Sequence, residues 1–306
     1  MDSGQINPIL SIEATATTEE DRAHLERSVG ALIQENPQVQ ISFNSQAGRL
    51  LIGGEDEALL ERVCQKILAI GPLELSEPRI AHRETIRKAA EAEGKYIRQT
   101  GGSGNYGHCW LKVEPNEAGK GYEFVNDIKG GVVPREYIKP IEQGVQGAME
   151  LGILAGYPMV DVKVTLTDGS YHEVDSNEMA FKFAGSIAFK EAARRASPVL
   201  LEPVMAFEGT VPEEFMGTFI GDINLRRGRI EGMEPAAGLQ VIKAVVPLAE
   251  MLRSSVHGRP KYATRFLGFE PAPWRNGRGD DDAAAFANRP RGPKPRDGSA
   301  TARGEL

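Results

Sequence analysis

The sequence predicts an α+β protein of three domains followed by a disordered C-terminal tail, with a ferredoxin-like order at both ends. Three observations predict it. The length of 306 residues suits two or three domains. Period-two apolar runs alternate with amphipathic stretches in the order strand, helix, strand, strand, helix, strand over residues 1–80. The same order returns over residues 199–270 with a very short second helix, and from Pro271 to Leu306 apolar periodicity gives way to Pro, Gly and mixed charge.

Taken in order, Ile9 to Ile12 is a short strand after Pro8. Thr17, three residues before Glu20, forms a capping-box pattern. Leu25, Val29, Leu32 and Ile33 continue an amphipathic helix to Asn36-Pro37. Val39, Ile41 and Phe43 alternate as a strand, Asn44 to Gly48 is a turn, and Arg49 to Ile52 returns. Leu59, Leu60, Val63, Ile67 and Leu68 mark a second helix closed by Gly71-Pro72, and Leu73 to Leu75 is a strand. Arg79 to Arg98 interleaves Lys and Arg with Glu and reads as a solvated strand or connector.

The middle domain spans residues 81–198. His108 to Val113 and Gly121 to Ile128 are strands. Pro134 opens a helix through Ile138, Ile141, Val145 and Met149, with Gly152 as its C′ residue. Val160, Val162, Val164 and Leu166 share one face of a strand. A polar loop from Asp168 to Glu173 follows. Asp175, three residues before Glu178, then caps a helix carrying Met179, Phe183 and Ile187. In the third domain Leu200 to Phe207 is a strand and Pro212-Glu213-Glu214 opens a helix that Gly228 stops. Arg229 to Met233 and Leu239 to Val246 form a hairpin-like pair. A brief helix at Pro247 to Leu252 and a strand at Ala263 to Phe269 finish the domain.

Composition excludes several classes. The net charge of −7 argues against electrostatic coating of nucleic acid and leaves RNA contact to a small tip or local basic residues. Two cysteines, Cys64 and Cys109, make neither a disulfide framework nor a metal motif, and both read as buried thiols. No window nears the ~20 apolar residues that span a bilayer, and the N-terminus has no signal-peptide pattern. A cytoplasmic location is the expectation.

Gly102-x-Gly104-x-x-Gly107 matches a dinucleotide-binding pattern, but that chemistry needs a helix N-terminus after the loop. The following His108 to Pro115 is strand-like, so a hairpin tip that approaches another backbone closely is the better reading. No P-loop pattern occurs, so nucleoside triphosphate hydrolysis by that chemistry is not expected. None of His24, His82, His108, His172 and His257 sits at metal-pair spacing, so no metal, cofactor or catalytic residue is expected. His24 reads as a helix-surface residue, and His82 and His108 as strand residues. His172 occupies a tip loop.

Long blocks then point to one family: Gly130 to Pro158, Asp161 to Ala192, Pro198 to Met205, Gly221 to Pro235 and Val246 to Met251. They resemble the C-terminal half of translation elongation factor G, strongly over residues 83–251 and collinearly over 6–82 and 260–270. The resemblance implies that family's domains III, IV and V, the middle one with a ribosomal-protein-S5-domain-2-like fold. It further implies a rod-like middle domain whose two tip loops enter the small-subunit decoding site. Those loops correspond to Gly101, Gly102, Ser103, Gly104, Asn105 and Tyr106, and to Ser170, Tyr171, His172 and Glu173. His172 matches the family's tip histidine. The implied partners are the ribosome, with its rRNA and the tRNA–mRNA pair, and a large-subunit contact on the Glu213–Arg227 helix and residues 247–259.

The sequence also departs from the family pattern. Ser103 and Asn105 stand where the family's loop has Arg and Gln, losing one charge and one methylene. The domain III motif G-E-L-H-L-E survives only partly in Gly54 to Glu61, and Met251 runs into Leu252-Arg253 without the family's F-G-Y-A-T-D. The chain starts where domain III starts, so the expectation is an elongation factor G-like protein without the GTPase domain that binds the ribosome through the domain IV tip. The alternatives are the C-terminal part of a translational GTPase acting with a GTP-binding partner in trans, and a small-molecule enzyme with a phosphate loop at Gly102–Gly107.

Overall fold

A computed structural model of the chain describes residues 8–45, 48–55, 57–98, 104–236, 238–252 and 262–273. The first block comprises β1 (Leu10–Ala16), α1 (Glu19–Glu35), β2 (Gln40–Asn44), β3 (Arg49–Gly54), α2 (Glu57–Leu68) and β4 (Leu73–Leu75). The strands lie in the order β2-β3-β1-β4, with β1 antiparallel to both β3 and β4. This is the ferredoxin-like arrangement. Alternate residues Leu10, Ile12 and Ala14 of β1 and Leu50 and Ile52 of β3 are buried with Leu25 and Leu32 of α1 and Leu60, Val63 and Ile67 of α2. Thr18, not Thr17, caps α1: its hydroxyl accepts the Asp21 N–H at 3.1 Å. Thr17 is drawn away because its own hydroxyl lies 3.1 Å from the Pro72 carbonyl. A two-residue β5 (Arg79–Ile80) pairs with the start of β1.

The second block begins with β6 (Arg83–Ile86), then β7 (Ala90–Arg98), β8 (Asn105–Pro115), β9 (Glu123–Asn126), α3 (Arg135–Leu151), β10 (Val162–Ser170) and α4 (Glu178–Arg195). Its sheet runs β7-β8-β10-β9, with only the β9–β10 pair parallel. Leu111, Val113, Val162, Val164 and Leu166 are buried against Ile141 and Val145 of α3 and Phe181 and Phe189 of α4. Three expectations are corrected here. Val160 lies outside the strand, because Asp161 turns left-handed (φ 56) and its carboxylate accepts the Gly121 N–H. Asp168, Gly169 and Ser170 are strand rather than loop, paired with Trp110, Cys109 and His108 beyond a bulge. Met179, Phe183 and Ile187 form the outward face of α4, 63, 44 and 41% exposed, while Ala180, Phe181, Ala184, Ala188, Phe189 and Ala192 face the core. Small residues on that inward face let the helix sit close to the sheet. A Cβ on Gly94 of β7 would come 2.1 Å from the Ala184 carbonyl oxygen.

The third block holds β11 (Pro198–Pro212), α5 (Met216–Leu225) after a 3-10 turn, β12 (Arg229–Ala236), β13 (Leu239–Pro247), α6 (Leu248–Leu252) and β14 (Tyr262–Pro271). The order is β12-β13-β11-β14, all antiparallel, and β6 pairs with the first residues of β11. Met205 and Leu248 are buried with the core of the first block. The expected stop at Gly228 is one residue late. α5 ends at Leu225, and Arg227 takes the left-handed turn (φ 60) with its guanidinium bidentate on Glu202 at 2.8 and 2.9 Å. Pro271 still belongs to β14, so the expected tail boundary moves. Residues 274–306 lie outside the described residues.

The charge-rich Arg79–Arg98 segment holds the least expected feature. Glu84 is fully buried. One carboxylate oxygen accepts the Ile153 and Leu154 N–H groups at 2.6 and 2.8 Å; the other accepts those of Ala155 and Tyr157 at 2.7 and 3.1 Å. Four backbone donors thus replace its water shell. Beside it, His82 lies between β5 and β6 rather than in a strand, its ring 5.1 Å from that of Tyr157.

Replacing Glu84 with Ala strands four partly buried N–H groups, and urea denaturation should register a loss of about 3 kcal/mol. Unchanged stability would refute the cradle. Burial holds the His82 imidazole below its ordinary value, more strongly than the Ile80 carbonyl raises it. The folded state therefore favours neutral His82. That part of the stability is intact above an unfolded value of about 6.5 and is lost as pH falls through the lowered folded value. The urea midpoint of His82→Phe should fall less steeply over that range than that of the parent.

Candidate functional site: two interlocked loops at one end of the middle sheet

The β7–β8 hairpin closes with Arg98 opposite Asn105, and β10 ends at Ser170. The loop after β10 leads into α4. Both turns therefore emerge at the same end of the sheet, since β8 and β10 are antiparallel neighbours and Ser170 pairs with His108. Gly101, Gly102 and Ser103 of the first loop lie outside the described residues. The remaining predicted residues come together.

Asp175 is the tie. Its carboxylate accepts the Gly104 N–H at 2.8 Å, and its carbonyl accepts the Tyr106 N–H at 2.8 Å. Asn177 donates to the Asn105 side-chain carbonyl at 2.8 Å. The expected capping role of Asp175 falls instead to Asn177, whose side chain accepts the Ala180 N–H at 2.9 Å. Asp175 stands too far before the helix start at Glu178 and faces the other loop. Sequence reading missed Asn177, although Asn is as good a cap as Asp. Nothing in the local sequence marked the cross-loop bond of Asp175.

Gly107 explains the glycine pattern. A Cβ there would lie 2.3 Å from the Ala180 carbonyl oxygen, so only glycine lets β8 run under the first turn of α4.

Inside the loops, Ser170 Oγ lies 2.7 Å from the Tyr106 hydroxyl and 2.6 Å from His108 Nδ1. With Ser170 donating to His108, Tyr106 donates to Ser170 and the His108 proton sits on Nε2. That nitrogen is 2.9 Å from a Glu93 oxygen but off the N–H direction, so the pair is an electrostatic contact rather than a directed hydrogen bond. The order Ser–His–carboxylate invites comparison with a nucleophile relay. Here, however, Tyr106 occupies the serine oxygen, which is held in place rather than aimed at a substrate. Cys109, the next buried residue of β8, has its thiol pushed up to about 12 by burial and is inert.

His172 is outward, its side chain 54% exposed. Its Nδ1 accepts the Val174 and Asp175 N–H groups at 3.3 and 3.2 Å. The same nitrogen is 3.5 Å from the Asp175 carboxylate; as an acceptor it cannot also donate there, so the backbone bonds define the neutral tautomer. Nε2 then carries the proton and has no partner among the described residues. The Tyr106 ring lies 6.1 Å from that of His172, and Tyr171 and Glu173 are exposed beside it. The exposed groups are thus a directed N–H, a carboxylate and aromatic faces on a hydrogen-bonded frame. Among the described residues no His, Cys, Asp or Glu cluster could hold a metal ion, and no helix is long and apolar enough to cross a membrane.

Comparison with known proteins bears on this arrangement. Residues 78–197 match the family model for elongation factor G, domain IV, and residues 199–275 match that for the elongation factor G C-terminus. A crystal structure of a protein from Thermus thermophilus superposes with a TM-score of 0.69 at 38% identity, over 87% of this chain and 41% of that one. The match therefore covers about two fifths of that protein's length.

The loops should loosen without unfolding when Asp175 becomes Ala. Hydrogen exchange at the Gly104 amide should accelerate at least about tenfold while that of core β8 amides is unchanged. Equal protection at Gly104 would show that Asp175 is not the tie.

Proposed function

The chain belongs to the elongation factor G family, and on that premise we propose that it binds the ribosome through the paired loops and acts in or on translation elongation. The residues that meet RNA are Gly104, Asn105 and Tyr106 on one loop and Ser170, Tyr171, His172 and Glu173 on the other, together with Gly101, Gly102 and Ser103. The observation that carries the reading is the state of His172. Its Nδ1 is occupied inside the loop, so its Nε2–H is left as a fixed, solvent-facing donor. Single-stranded and looped RNA presents splayed base edges and faces that such a donor and the neighbouring aromatic rings recognise. The decoding region of the small subunit is the surface of that kind that the family's domain IV addresses.

The chain works here as a binding module. Tyr106 and Ser170 also shape the loop through their mutual bond, and His172 makes the directed hydrogen bond. GTP hydrolysis coupled to the contact would be the work of a GTP-binding unit outside these residues. Large-subunit contact would fall on the Glu213–Arg227 segment.

Sucrose-gradient co-sedimentation at low salt tests the proposal. His172→Ala should weaken ribosome association about tenfold, in line with the loss of one stacking or hydrogen-bonding contact to a base. Co-sedimentation equal to that of the parent would remove the loops from the interface.

A further inference from the structure

The outward face of α4 is unusual for an acidic protein. Met179, Phe183, Ile187, Lys190 and Arg194 follow one another at spacings of four, four, three and four, which places them on one stripe about 22 Å long. The first three are exposed apolar residues. At the loop end of the stripe, Phe183 stacks on Tyr96 of β7, with centroids 4.8 Å apart and planes 27° from parallel. The Arg98 guanidinium lies 5.7 Å from the Tyr96 ring centroid. Lys182 is exposed alongside, and neither Lys182 nor Lys190 has an acidic partner among the described residues. The acids of α4 are Glu178 and Glu191, and Glu191 is already paired with Arg194 and Arg195. On α4 itself the four cations Lys182, Lys190, Arg194 and Arg195 therefore outnumber two carboxylates, on a chain of net charge −7.

We propose that this flank of α4 and β7 is a second RNA-contact surface that continues the loop site along the helix. Single-stranded RNA stacks its bases on Arg98 and on the exposed Phe183 ring, which Tyr96 supports, while Lys182, Lys190 and Arg194 meet its phosphates. The inference rests on the loop reading in one respect: both surfaces face the same RNA. Three features select RNA over a protein partner. Arginine and aromatic planes stacked in series are what unpaired bases lie against. The surplus positive charge follows the apolar stripe. The stripe is also continuous with the loops, since Asn177 caps α4 and binds Asn105 while Arg98 pairs with Asn105 across the hairpin.

Fluorescence anisotropy with a labelled oligouridylate, together with ribosome co-sedimentation, tests the proposal on the full chain. Phe183→Ser and Lys182→Glu change exposed side chains, so the fold should persist, as circular dichroism will verify. Phe183→Ser should weaken oligouridylate binding about tenfold. Lys182→Glu should weaken it and lower the slope of log K against log salt by about one. Parental ribosome co-sedimentation of His172→Ala would refute the loop reading alone, and parental oligouridylate affinity of the flank variants the flank alone, so the two failures are read separately. Parental oligouridylate affinity in both flank variants overturns the proposal. So does photo-crosslinking of residues 178–190 to ribosomal protein and not to RNA, which would make the stripe a protein-docking face.

Discussion

Backbone-to-backbone contact between α4 and the middle sheet is the constraint on which the loop site depends. Gly94 and Gly107 leave no room for a side chain where the helix crosses β7 and β8, and the alanines of α4 complete the fit. Because the helix lies that close, its N-terminal approach brings Asp175, Ser176 and Asn177 within hydrogen-bonding reach of Gly104, Asn105 and Tyr106. A helix held further off by larger side chains would leave the two loops independent. The same approach dictates what faces out. With alanine and two phenylalanines filling the inward face, Met179, Phe183 and Ile187 have no core to enter.

Buried carboxylates secure the base from which these loops project. Glu84 binds β6 to the turn after α3, and Glu202 on β11 receives the guanidinium of Arg227, which Glu250 also contacts at 3.1 Å. An ionised carboxylate in the interior is costly unless donors surround it. In both cases the donors belong to segments distant in sequence, so each acid fixes one segment against another. Arg227 accepts a left-handed backbone conformation in the same arrangement, a position where glycine would ordinarily be preferred.

Order and exposure coexist at the loops because the polar groups divide their tasks. Tyr106, Ser170 and the Nδ1 of His108 hydrogen-bond one another, and His172 uses only Nδ1 internally. The frame is held while one ring nitrogen and several ring faces remain for a partner. A preorganised contact loses less entropy on binding than a loop that must first be shaped. The α4 flank adds positive charge where the chain as a whole is acidic, which concentrates any attraction for polyanions on one side of the loop site.

The element order was legible from the residues themselves. Periods of two and 3.6 are local properties, and they sufficed for both ferredoxin-like arrangements; the glycine-rich segment marked the hairpin tip, and polar composition marked the loop that carries His172. The long sequence blocks carried the family. The tertiary structure decided what depends on distant partners: the capping of α1 by Thr18, with Thr17 diverted to Pro72; the cross-loop role of Asp175; the burial of Glu84 inside a stretch that reads as solvated; and the outward turn of Met179, Phe183 and Ile187. Periodicity shows that a helix has an apolar stripe but not which stripe meets the core when two are available. On α4 the inward choice went to the face with the smaller residues, because close approach to the sheet excludes larger ones.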